Sequence, residues 1–143
     1  MKVSLKILLA FFVFITATSC KAQLVQTVMD AKKLEINKDK FIGKPLSSLL
    51  KQIKPQIKSV LVIPGSSEQL STICFYFLPH SDIHKFKEET GKNPVEIWIR
   101  LKEYDFKWDP STRPQDQRYD WTKEDEEEFG KMTVADVKVR YAD

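Results

Sequence analysis

Several groupings in this chain combine residue types that can do chemistry, and each has an ordinary reading beside it. His80-Ser81-Asp82-Ile83-His84 places two imidazoles four residues apart, which on a helix would put them one turn apart on a shared face, as in paired metal ligands. No third local ligand completes a zinc set, and Pro79 places His80 ahead of the helix. His80 and His84 are therefore weak metal candidates, expected on a surface loop, and no metal is assigned. Ser66 or Ser67 could act as a nucleophile with His84 as base, but a nucleophile elbow needs G-x-S-x-G. Pro64-Gly65-Ser66-Ser67-Glu68 lacks the second glycine and reads as a turn. Asp125, Glu126, Glu127 and Glu128, with Asp116 and Asp120 nearby, could chelate calcium. The alternation of an EF-hand loop is absent, so a solvated acidic helix start is expected. Nothing singles out a pair of carboxylates for glycoside hydrolysis.

Aromatic residues are the richer clue. Trp98, Trp108, Tyr119 and Trp121, with Tyr104 and Phe106 among them, are candidate contact residues for a ligand or partner, because exposed rings give contact area at low entropic cost. Trp98 points away from Ile97 and Ile99 and shares its face with Glu96 and Arg100. The alternative is a second core layer under a helix, since small domains need their aromatics inside. No catalytic residue and no cofactor is assigned. Gly43-Lys44-Pro45 lacks the glycine-rich spacing of a phosphate loop.

The other reactive residue lies at the end of the leader. Lys2 and Lys6 give a basic start, Ile7 to Ile15 is an unbroken apolar run too short to span a bilayer, and Thr16-Ala17-Thr18-Ser19-Cys20 closes with small residues. This is the three-part layout of a secretory signal, over residues 1–19. Ala17-Thr18-Ser19-Cys20 resembles the lipobox of bacterial lipoproteins, with Ala17 where that family most often has Leu. The resemblance implies cleavage before Cys20 and a diacylglycerol on its sulfur, with fatty chains such as palmitate. It thus implies attachment to a cell-envelope membrane facing the periplasm. Two or more chains make such an attachment lasting. The rival reading takes Cys20-Lys21-Ala22 as an ordinary cleavage site, releasing a soluble periplasmic or secreted protein from Gln23.

Charge bounds the partners. The 143 residues carry a formal net charge of +3, unevenly spread. Nine lysines against three acids occupy 21–60, while twelve basic and seventeen acidic residues occupy 61–143. A basic stretch beside a lipid anchor would favour anionic head groups, although a solvated lysine-rich face is the simpler reading. The basic residues are not interleaved with aromatics, so nucleic acid is not an expected partner. Cys74 lies inside the apolar run Ile73 to Leu78, where a buried thiol is expected rather than a catalytic one.

The elements that must position these residues follow from periodicity. Residues 20–40 read as a tether and lead-in, and 41–143 as one domain. Leu46, Leu49, Leu50 and Ile53 make one apolar stripe, which predicts a helix over 44–54, with Pro45 in its first turn and Pro55 ending it. Ile57 to Ile63 and Leu70 to Leu78 read as strands apolar on both faces, around the turn 64–69. A short helix follows Pro79 and ends at Gly91, and Val95 to Trp108 reads as a long strand with a bulge or bend near Lys102. Thr122 to Asp125 has capping-box spacing, which predicts a short helix closed by Gly130. Val137, Val139 and Tyr141 alternate with charged residues in a final strand. The expected fold class is α+β, a mainly antiparallel sheet of about four strands with an N-terminal helix and a short helix before the last strand. Its size and layout are similar to small envelope lipoproteins that serve as accessory or inhibitor modules. The function expected is a non-enzymatic, membrane-anchored domain binding an envelope protein at the sheet edge and the loop 108–121. The alternatives are a module binding a glycan or other small ligand, and a hydrolase with an unrecognised site.

Overall fold

The computed structural model describes residues 22–141. Cys20 and the leader lie outside the described residues. Four strands form one antiparallel sheet in the order β1-β2-β3-β4: β1 (Ser59–Ile63), β2 (Ser71–Tyr76), β3 (Glu96–Leu101) and β4 (Val134–Arg140). Around it run α1 (Lys32–Ile36), α2 (Leu46–Leu50), α3 (His80–Thr90) and α4 (Lys123–Phe129). This is the α+β class that the periodicities imply, with an additional helix, α1, in the segment read as a tether.

The register explains how strands with two apolar faces are accommodated. Val60, Phe75, Ile97 and Val139 form one rung across the sheet, and Val62, Ile73, Ile99 and Val137 the next. Both rungs point at the same side, where the α2 stripe Leu46, Leu49 and Leu50 and the α4 residue Phe129 complete the core. The register shifts between Arg100 and Leu101, which leaves Ala135 as the extra residue of β4. That shift lets Val134 and Val137, three positions apart, both reach the core.

Three sequence expectations are corrected here. The segment expected to be a tether is packed from Val25 onward. Val25, Ala31 and Leu34 are fully buried, and the Val25 backbone pairs with Gln52 and Lys54 at 2.9 Å. Second, α2 is five residues long rather than spanning 44–54, with Pro45 as its N-cap. Ile53 leaves the helix to form a parallel bridge with Val25. Third, β3 ends at Leu101, because Glu103 turns to accept from the Thr133 N–H at 2.7 Å and the Thr133 hydroxyl at 2.8 Å.

Both sheet edges are occupied. Along β1, the Val60 N–H donates to the Tyr119 carbonyl at 2.8 Å and the Trp121 N–H to the Lys58 carbonyl at 3.1 Å. Along β4, the Val139 N–H donates to Glu35 of α1 at 2.9 Å, and Gly43 and Lys44 bracket Val134 at 2.8 and 2.9 Å. An exposed edge would present unpaired donors and acceptors to any passing strand. Here part of each edge is already paired from within the chain.

Candidate functional site

The aromatic candidates separate once their surroundings are known. Trp121 meets Phe75 edge-on at 4.9 Å and Phe129 at 6.1 Å, and Trp108 meets Phe129 at 5.6 Å. Phe106 packs on the same ring at 5.3 Å. These half-buried rings form a layer around α4 rather than an open platform. Tyr119 lies under His80, ring centroids 4.1 Å apart, and its backbone pairs with β1.

One residue that no motif marks holds the loop 109–121 in place. Arg113 stacks over Trp108 at 4.8 Å, donates to the Asp120 carbonyl at 3.0 Å, and reaches the buried Asp125 carboxylate at 2.5 Å. Asp125 also closes the expected capping box, accepting from the Thr122 N–H at 3.0 Å and hydroxyl at 2.9 Å. So the acid next to Glu126, Glu127 and Glu128 turns inward, while those three face solvent.

The histidines lie on α3. Pro79 is the N-cap, so His80 is the first residue inside the helix rather than ahead of it. His84 is exposed, with Nδ1 3.4 Å from Glu88. Among the described residues no group of three or more His, Cys, Asp or Glu side chains is placed to hold a metal ion. Ser66 closes the β1–β2 turn, bonding the Gln69 backbone in both directions at 2.8 and 3.2 Å. A Cβ at Gly65 would run into the Gln69 carbonyl, which accounts for the glycine there.

Trp98 stands apart from the other rings. It lies on the side of the sheet turned away from the core, in the rung Leu61, Cys74, Trp98, Lys138. The neighbouring rungs bring Tyr76, Glu96 and Arg140 to one side of it and Thr72, Arg100 and Asp136 to the other. Its indole N–H donates to Glu96 at 2.7 Å, and Glu96 in turn lies 3.4 Å from the Tyr76 hydroxyl. The Arg140 guanidinium sits over the indole, 4.2 Å from the ring centroid. Thr72, Trp98, Arg100, Asp136, Lys138 and Arg140 line a cavity of about 340 Å³.

Charge on this face is unbalanced. Asp136 is held by Lys38 at 2.8 Å, and that contact keeps its carboxyl below the usual range despite partial burial. Arg100, Lys138 and Arg140 form no ion pair among the described residues. Beneath them Cys74 is fully buried, and burial pushes its thiol up to about 12, so it stays protonated and unreactive at neutral pH. Burial also raises the Tyr76 phenol. The arrangement holds positive charge in a fixed place and offers no nucleophile with a base beside it.

The alternation of Lys138 and Arg140 with Val137 and Val139 already marks the last strand as polar on one side. That their charges converge on Trp98 depends on the β3–β4 register, which no local pattern carries. A second concavity, apolar and about 420 Å³, opens at the end of the sheet where Phe86 of α3 faces Phe77, Val95 and Tyr141. No described helix is long and apolar enough to cross a membrane. Nothing among the described residues points to an enzymatic activity. No family model, curated protein or solved structure matches the chain.

Proposed function

We propose that this chain is an exported, lipid-anchored, non-enzymatic module of the cell envelope, and that the open face of its sheet receives a partner protein. The anchor rests on the signal-like leader and the lipobox resemblance ending at Cys20. The working surface rests on one observation: the sheet is covered on one face and partly paired at both edges, and on its other face a half-buried tryptophan lies beside Arg100, Lys138 and Arg140 with no element packed over it. The aromatic loop 108–121 serves instead to close the core and β1, so Trp108, Tyr119 and Trp121 act through the fold.

Two measurements test the two halves. Mass spectrometry of the mature protein from cells should find Cys20 as the first residue, carrying a thioether-linked diacylglycerol. A bare N-terminus beyond Cys20 overturns the anchor. A photoreactive residue at Lys138 should give a discrete adduct with an envelope protein, lost in Trp98→Ala and absent when the same group is placed at Glu127. Equal adducts from both positions, or none from Lys138, overturn the surface.

A further inference from the structure

We infer that the Arg100–Lys138–Arg140 face binds an extended acidic segment of that partner, its alternate carboxylates seated on the three cations. The inference rests on the open face being the working surface, and adds what chemistry it recognises.

Three features carry it. The first is unspent charge: the three cations form no ion pair among the described residues, and the two acids opposite them in register are engaged by other groups, Asp136 by Lys38 at 2.8 Å and Glu96 by the indole N–H at 2.7 Å. The second is spacing. Lys138 and Arg140 are two residues apart on β4, roughly 7 Å along the strand, and Arg100 lies diagonally across on β3. An extended peptide repeats its same-side carboxylates at that same interval, so acids at alternate positions match the cations without bending. The third is pre-organisation. Glu96 fixes the Trp98 ring through the indole N–H at 2.7 Å, and the ring fixes the Arg140 guanidinium at 4.2 Å. A stacked guanidinium keeps its N–H edge free for a carboxylate fork.

The same stacking argues against a sugar. A hexose docks by laying a face on an open aromatic ring, and this face of Trp98 is already covered by Arg140. A lipid surface is disfavoured because no ring of exposed apolar residues lines the cavity.

The test titrates the purified domain, residues 20–143 with Cys20 replaced by Ser, with three probes while following tryptophan fluorescence. The probes are a synthetic peptide alternating Glu with Thr, a tetrameric uronic-acid oligosaccharide, and vesicles of anionic phospholipid. The peptide should bind, and raising salt from 0.05 to 0.5 M should weaken it by about tenfold, as exposed charge contacts are screened. Arg100→Ala, Lys138→Ala and Arg140→Ala should each weaken it by roughly two- to fivefold, the scale of one exposed ion pair. Glu96→Gln, which keeps an acceptor for the indole N–H and removes a carboxylate that repels the peptide, should leave binding unchanged or tighten it. Absence of peptide binding by the folded wild-type domain overturns the inference, as does tighter binding of the uronic oligosaccharide or the vesicles. If the Lys138 photo-adduct forms and the peptide fails to compete, the recognised chemistry is wrong and the surface assignment survives. If no adduct forms, the surface assignment itself fails.

Discussion

Replacing Asp125 with Ala should cost the domain about 3 kcal/mol, the sum of two losses that the structure separates. The first is the helix cap. Asp125 accepts from the Thr122 N–H and hydroxyl at 3.0 and 2.9 Å, and losing such a capping contact costs about 1 kcal/mol. The second is the partner of Arg113, whose guanidinium reaches Asp125 at 2.5 Å with side chains 25% and 5% exposed. Stripping one member from a fully buried pair costs roughly 3–5 kcal/mol. Because Arg113 keeps access to water and its bond to the Asp120 carbonyl, about 2 kcal/mol is the appropriate share here. Urea unfolding followed by tryptophan fluorescence is the assay, since Trp108 and Trp121 both rest against Phe129 at the end of α4. With a slope of about 1.5 kcal/mol per molar urea, the midpoint should fall by about 2 M. The double variant Arg113→Ala, Asp125→Ala should be less destabilised than the sum of the singles by about 1 kcal/mol or more. A cost below about 1 kcal/mol for Asp125→Ala, or strict additivity in the double variant, would refute the view that this pair clasps the loop 109–121 to the core.

Acid should destabilise the domain in a defined window. Asp30 is drawn down to about 2 by the Lys33 side chain and then by the Thr27 backbone. Glu35 and Glu103 also end below their ordinary values, because hydrogen bonds to Lys32 and Val139, and to Thr133, outweigh burial. Depressed carboxylates stabilise the fold above their unfolded values and lose that contribution as pH falls through the folded ones. Thermal unfolding should therefore weaken between about pH 4.5 and pH 2, and Glu103→Gln should flatten the upper part of that dependence. Cys74 should resist a thiol reagent at pH 7.5 in the native state and react fully in urea; native labelling at the rate of an exposed thiol would show that the sheet opens there. Lys138→Thr should leave the melting temperature unchanged or raise it by a degree or two, because it removes a repelling charge from a strand surface; a fall of more than about 4 °C, roughly 1 kcal/mol, would mean that Lys138 holds the fold together.

The legible parts of this chain were those whose cause is local. The Thr122–Asp125 spacing is a capping box because both partners lie within one turn, and the Val137, Val139 alternation is a strand because a pleat repeats every two residues. Gly91 ends α3 in the left-handed conformation with φ 68°, as a glycine after a polar helix implies. What escaped was set by partners distant in sequence. The helix stripe through Ile53 is real as a buried set, yet the helix stops at Leu50 because the backbone beyond it pairs with Val25, some thirty residues earlier. The packing of the segment 25–40 was hidden for the same reason, since the short run Ala31-Lys32-Lys33-Leu34-Glu35-Ile36 carries no clear apolar stripe until β4 comes to lie beside α1. Arg113 carries no motif at all. Its role follows only from having Trp108, Asp120 and Asp125 around it.

The open face of the sheet carries three cations and two acids, and the acids are engaged by groups other than those cations. A surface strand is satisfied by threonines and by charges of mixed sign placed opposite one another, and like charges set side by side work against folding. Here Arg100 lies opposite Asp136 and Arg140 opposite Glu96 in register, yet neither pair closes into an ion pair among the described residues, because Asp136 is engaged by Lys38 and Glu96 by the indole N–H. The apolar surface of Trp98 is likewise placed where the core cannot use it. On the proposed reading both features would become favourable together once an acidic segment binds, because its carboxylates would neutralise the charge and the stacked guanidinium is already oriented. Elsewhere in the domain the arrangement is the reverse: Trp108 and Trp121 turn toward Phe129, and the loop's arginine is neutralised internally by Asp125. Arg113 is neutralised internally by Asp125, whereas Arg100, Lys138 and Arg140 on the open face form no ion pair among the described residues, so the charges that hold the loop in place are distinct from those left exposed on the sheet.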